Sequence, residues 1–258
     1  MLADVIDSRH LLYMLAWRDI KIRYKQSVMG FMWAILMPCL IVSAGILVRY
    51  GFSVASGRSV DVSDLASVAL KSVPWAFFVG SIRFATGSLI GNGSLVTKIY
   101  FPREVFPLAA ILASLFDFMV ASGLMIVVLI WARVGIQVEL LWFPVLLLLL
   151  IVLAAGLGMF LACANLFFRD VKYLVEVFLT FGILFTPVFY EASMFGKWAP
   201  ILLLNPVGSI LEAMDRVVVL HRAPDTFWLV YAACWALGGC LIGWKIFDRA
   251  EASFAESI

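Results

Sequence analysis

The sequence predicts an all-α integral membrane protein: six transmembrane helices, an N-terminal amphipathic interfacial helix ahead of the first, and a re-entrant helix pair between spans five and six. Three observations predict it. Of the 258 residues, 64% are hydrophobic and only 14% are charged, where a soluble domain carries about a quarter charged residues. The apolar residues gather in runs of about twenty, the length that crosses a bilayer core as a helix. Polar breaks separate them, and Lys and Arg favour alternate breaks. The net charge is only +2, so overall balance points to neither nucleic acid nor an acidic partner.

The interfacial helix covers 8–26. At helical spacing Tyr13, Trp17, Ile20 and Tyr24 share one face, and Leu11, Leu15 and Ile22 the roughly opposite one. Arg18, Lys21 and Lys25 form a basic seam between them. Two apolar faces suit a helix lying between lipid headgroups and protein; a plain positive-inside flank of the first span accounts for the same charges. The basic start leads straight into an apolar run with no small-residue cleavage site, so it is expected to be retained.

The spans are read at 28–50, 73–91, 105–132, 141–165, 173–190 and 227–247. Pro38 predicts a kink in the first, and a Ser-, Gly- and Asp-rich stretch, Ser53–Ser72, separates it from the second. With the N-terminus inside, the cytoplasmic segments hold Arg9, Arg18, Lys21, Arg23, Lys25, Lys98, Arg103, Arg169, Lys172, Lys245 and Arg249. The external ones hold Arg49, Arg58, Lys71, Arg133, Lys197, Arg216 and Arg222. The asymmetry places both termini in the cytoplasm.

The segment 191–226 breaks the pattern. Its apolar portions, Trp198–Leu204 and Val207–Leu220, are each too short to cross. Asn205-Pro206 is a strong helix start, since Asn caps and Pro fits the first helical position. Either two short helices dip into the outer leaflet and return, which requires protein or a water-filled cavity around them, or a helical hairpin lies on the external surface.

Enzymatic signatures are absent from the sequence. There is no phosphate-cradling GxxxxGK[ST], no HExxH and no Gly-x-Ser-x-Gly elbow, so no catalytic, metal or cofactor-binding residue is expected. The cysteines, Cys39, Cys163, Cys234 and Cys240, sit in apolar runs and read as packing residues.

Two ionisable residues fall inside spans. Arg83 lies about nine residues, roughly 13 Å, from Asn92, and Asp117 about twelve residues, roughly 18 Å, from Val105. A charge at mid-helix costs about 2.5–3.5 kcal/mol on insertion scales, so such residues face a partner or a polar cavity. Either Arg83 lines a pathway or receives an anionic headgroup with Asp117 positioning it, or the two form a packing pair. Gly87-x-x-x-Gly91 and Gly239-x-x-x-Gly243 mark close helix approach, with packing inside one subunit the expected use. Aromatic residues at the external ends, among them Trp75, Phe185, Phe189 and Tyr190, suit lipid anchoring or stacking on sugar rings.

The order of these motifs resembles the membrane subunits of ABC-2-type polysaccharide exporters, the O-antigen, teichoic-acid and capsule group. Leu15–Pro38, with Gly30 and Trp33, resembles that family's opening. Asn92, Leu95, Lys98, Phe101, Pro102, Arg103 and Pro107 match its N-x-x-L-x-x-K-x-x-F-P-R-x-x-x-P loop. Phe167–Val171, with Arg169 and Asp170, resembles its second cytoplasmic loop, and Thr186–Tyr190 with Asn205-Pro206 its external gate region.

The resemblance implies a homodimeric pathway in the bacterial inner membrane, driven by two separate ATPase subunits that hold the ATP and Mg. The cargo it implies is a lipid-linked (undecaprenyl-type) polysaccharide, with drug or lipid export as the alternative. On that basis the loop 92–104 is expected to couple to the ATPase through Lys98, Phe101, Pro102, Arg103 and Glu104, helped by Arg18, Lys21, Arg169 and Asp170. Arg103 and Glu104 are expected to be available to that partner. The substrate path is assigned to Arg83, Asp117, Trp33, Phe185, Phe189 and Tyr190, and the external gate to Pro187, Asn205 and Pro206.

Overall fold

The computed structural model describes residues 8–25, 32–56, 61–93, 95, 102–251 and 254, and every regular element among them is helical. In chain order these are α1 (Arg9–Lys25), α2 (Met32–Ser56), α3 (Val62–Gly91), α4 (Val105–Trp131), α5 (Trp142–Phe167), α6 (Val171–Phe185), α7 (Ala199–Leu203), α8 (Pro206–Val218) and α9 (Thr226–Glu251). Short 3-10 turns at Val138–Leu141 and Ala192–Trp198 precede α5 and α7. Five helices, α2, α3, α4, α5 and α9, are long and apolar enough to cross a membrane. Helix α6 has 15 residues, about 22 Å of rise, which falls short of a bilayer core of about 30 Å.

Helix α3 stands at the centre. It is buried for most of its length, while α2 and α9 expose large apolar side chains along theirs. Side-chain contacts give the directions of its neighbours. Near its start α3 meets the chain beyond α6, and near its end it meets α1, through Asn92 and Arg18. Helix α6 runs antiparallel to it, with Glu176 against Arg83 and Gly182 against Trp75. The end bearing α1 is the proximal end below, and the end bearing α8 the distal one.

Among the helix boundaries that differ from expectation (α2 also runs on to Ser56 and α9 to Glu251), two have a clear local reason. Helix α3 starts at Val62, not Val73. The Asp61 carboxylate accepts from the Val62 N–H at 2.7 Å, and Asp64 reaches back to the Asp61 N–H at 3.1 Å, a reciprocal cap that lets a polar stretch begin a helix. Helix α6 stops at Phe185, not Tyr190, because Thr186 turns extended and Pro187 has no N–H to continue the ladder.

Helices α5 and α9 touch backbone to backbone. A Cβ on Gly156 would lie 2.4 Å from Cys240 Cα, and one on Gly243 would lie 2.2 Å from the Gly156 carbonyl oxygen. Only glycine fits. Gly87 and Gly91, by contrast, face open space.

Candidate functional site

At the proximal end α1 lies across α3 and α4. Leu15 and Ala16 are buried with Leu89, Val105 and Phe106. That packing turns Arg18, Arg23 and Tyr24 toward the bundle and leaves Lys21 and Lys25 exposed. The Arg18 guanidinium donates to Asp19 at 2.8 Å and to the Asn92 side-chain oxygen at 2.7 Å. One turn further along, Arg23 donates to Asp117 at 2.5 Å and stacks over the Phe84 ring, 3.7 Å from its centroid. The Tyr24 hydroxyl donates to the other Asp117 oxygen; burial and that carboxylate push its ionisation well above the ordinary phenol value.

Two cavities open on either side of Arg23 and Phe84. The first, about 400 Å³, is lined by Trp33, Phe77, Phe84, Phe118 and Asp117, an aromatic wall with one acidic floor. The second, about 460 Å³, is lined by Arg83, Lys172, Glu176, Asp19 and Asn92. Arg83 donates to both Glu176 oxygens at 2.8 and 3.0 Å, and each side chain keeps more than a third of its surface exposed. The arrangement offers basic donors to an anion and apolar ring faces to a sugar or lipid.

Against known proteins, residues 10–218 match the ABC-2 type transporter family. The chain belongs to the ABC-2 type transporter family. An O-antigen export system permease protein, RfbA, of Myxococcus xanthus is 28% identical over 262 residues, covering all of this chain and 99% of the relative. Two such proteins of Klebsiella pneumoniae are 25% and 23% identical, each over 95% of this chain and 94% of their own.

In this ABC-2 type chain Arg83 and Asp117 are not partners. Similar depth allowed the pairing, but depth says nothing of direction around the helix, and each meets a residue of another element, Glu176 on α6 and Arg23 on α1. Arg103 and Glu104 also differ from expectation. The Arg103 guanidinium donates to the Glu251 carbonyl at 2.7 Å, and Glu104 is buried with one carboxylate oxygen accepting nothing. Neither is freely available. Burial, with Glu251 and Asp248 nearby, pushes the Glu104 carboxyl up. Lys98 and Phe101 lie outside the described residues, as does Gly30. Pro102 is half-buried, Arg169 and Asp170 are exposed in the α5–α6 turn, and Lys21 is exposed over the Trp17 ring.

The residues expected to form an external gate, Pro187, Asn205 and Pro206, come together at the distal end. Asn205 caps α8 by accepting from the Val207 N–H at 3.1 Å, and its amide donates to the Thr186 hydroxyl at 2.8 Å. Pro206 opens α8, and Pro187 closes onto Gly208, where a Cβ would sit 2.9 Å from the proline ring. Phe189 and Tyr190 are buried and Phe185 is exposed. The Phe189 ring fills a dent at Gly45, and the Tyr190 hydroxyl donates to the Leu184 carbonyl at 2.8 Å. Trp33 stands apart from all of these, in the proximal aromatic cavity.

Sequence reasoning missed the charges at this end. Arg49 and Lys71, counted as external loop charges, are 6% and 1% exposed. Arg49 pairs with Asp64 and, at 2.9 Å, with Glu191. Lys71 donates to the Tyr190 carbonyl at 2.8 Å and stands 3.6 Å from Glu212.

Proposed function

We propose that this chain is the membrane subunit of an ABC exporter that moves a lipid-linked cell-surface polysaccharide, with a separate ATPase supplying the energy and two copies of the chain forming the pathway. The observation that carries the reading is the match over nearly the whole length of chain to O-antigen export permeases. The two proximal cavities support it, because a lipid-linked glycan with an anionic linkage needs basic donors and apolar ring faces side by side.

In this reading the proximal end is cytoplasmic and the membrane is the bacterial inner membrane. Helix α6 and the Thr186–Tyr190 break complete a sixth crossing, and α7 and α8 are the re-entrant pair at the external face. Arg83 receives the anionic headgroup, Arg23 and Asp117 separate headgroup from glycan, and Phe189 and Tyr190 belong to the exit. Lys98, Phe101, Pro102 and Arg103 form the coupling loop, with Arg18, Lys21, Arg169 and Asp170 flanking the ATPase. Held by Glu251, Arg103 passes motion to α9 as well as to α4. ATP and Mg belong to the partner.

Co-purification tests the reading first: an ATP-hydrolysing partner in equal amount is expected, and its absence overturns it. Deletion of the gene should leave glycan on the cytoplasmic face, whereas unchanged surface glycan points to drugs or lipids as cargo. Arg103→Glu is expected to let ATP hydrolysis continue while export stops, with membrane insertion intact.

A further inference from the structure

The distal charges come as two trios, each with one base and two acids. Arg49 faces Asp64 and Glu191, whose side chains are 20% and 28% exposed, so water shares that trio's excess negative charge. Lys71 stands 3.6 Å from Glu212, whose side chain is 16% exposed, and its charge acts on Asp215. Lys71 and Asp215 are each 1% exposed, and the Glu212 Oε2 facing Lys71 is itself buried. Glu212 and Asp215 stand three residues apart on α8, on the same face. Glu212 Oε2 and Asp215 Oδ1 accept no hydrogen bond. Two carboxylates against one ammonium would leave a largely buried net negative charge with two buried oxygens unpaired, which is costly in so little water. A proton on either acid neutralises the trio and turns an unpaired acceptor into a donor.

We propose that Glu212 and Asp215 share one bound proton, and that this proton, with Lys71, clasps α8 and the Thr186–Tyr190 break together. Lys71 is the positioning residue: one of its N–H groups holds the Tyr190 carbonyl and its charge faces α8. Burial pushes both carboxyls up, and Lys71 opposes it.

The remaining polar surroundings are accounted for. Ser67 and Arg49 lie beside Asp215, and Glu191 and the Ala192 N–H beside Glu212. Arg216, also on α8, is held by Asp225 at 3.6 Å. Helix α9 brings Tyr231, which donates to the Leu204 carbonyl at 2.7 Å. Helix α5 carries no ionisable side chain but Cys163, and His221 sits beside Gly135.

Separation of α8 from Lys71 hydrates both carboxyls and returns them to ordinary values, releasing the proton. The clasped form therefore binds more protons, is favoured in acid, and loosens as pH rises through the raised titration. That the clasp governs export rests on the function proposed above; the proton site does not.

Infrared difference spectroscopy of the chain in lipid nanodiscs at pH 7 tests the site. A protonated-carboxyl C=O band is expected that Asp215→Asn or Glu212→Gln removes, since the remaining acid then pairs one to one with Lys71. Lys71→Met should strengthen the band. No such band in the difference overturns the proposal. Hydrogen exchange on the wild-type chain needs no variant: protection of 186–192 and 206–218, corrected for intrinsic rates, should fall by up to about tenfold per pH unit through the titration. Protection that ignores pH overturns the clasp. A confirmed band together with unaltered export by the assembled Asp215→Asn transporter overturns only the link to export, and absence of an ATPase partner leaves the proton site standing.

Discussion

The two ends of α3 carry charge in opposite ways. At its start Lys71 is sealed among Glu212, Asp215 and the Tyr190 carbonyl, contacts reached from 119 or more residues along the chain. Near its end Arg83 meets Glu176 beside an open cavity, with 44% of its side chain exposed. A sealed charge contributes to holding the elements around it, while an exposed one contributes little to stability and stays free to exchange its partner. The charge near the start of this helix is closed off from solvent, and the one toward its end is open to it.

The largest expected effect follows from breaking the sealed end. Lys71→Met should cost about 3–5 kcal/mol at neutral pH, read as a fall in thermal unfolding temperature. The cost should shrink in acid, where both carboxyls hold protons, and a pH-independent loss would show that Lys71 acts by packing alone. Next comes Asp117→Asn, which leaves Arg23 and Tyr24 without their carboxylate. We expect about 1–2 kcal/mol, discounted for partial exposure, and release of α1 from the bundle, seen as faster hydrogen exchange in Arg18–Lys25.

Glu104→Gln should act with the opposite sign. Its carboxyl is raised by burial, so stability present when it is protonated is lost as pH rises from the ordinary carboxylate value through the raised one. The amide should therefore add about 1 kcal/mol at neutral pH and nothing in strong acid, which an unfolding series against pH will show. The smallest stability effect is expected of Arg83→Gln, under about 1 kcal/mol, together with a clear loss of export. A stability loss as large as that of Lys71→Met would erase the contrast between the ends.

The apolar helices were legible because length and composition suffice to name them, and α8 because Asn205-Pro206 announces its own start. The early beginning of α3 was not, because Asp61 and Asp64 stand in a polar stretch that reads as a loop until the reciprocal cap is seen. The site divides along the same line. Pro187, Asn205 and Pro206 were legible as punctuation, and they do meet. The partners of Arg83, Asp117 and Lys71 were not, since the face a helix turns toward a distant element is set by packing. Even so, a lysine counted in a loop and two acids three apart on an apolar short helix were signals available for use.

The contact of Gly156 with Gly243 constrains how any motion can be distributed. With no side chain between them, the two backbones meet in direct contact, so neither helix can move closer to the other at this point and any added side chain forces them apart. A saturation scan of both positions should therefore tolerate glycine alone.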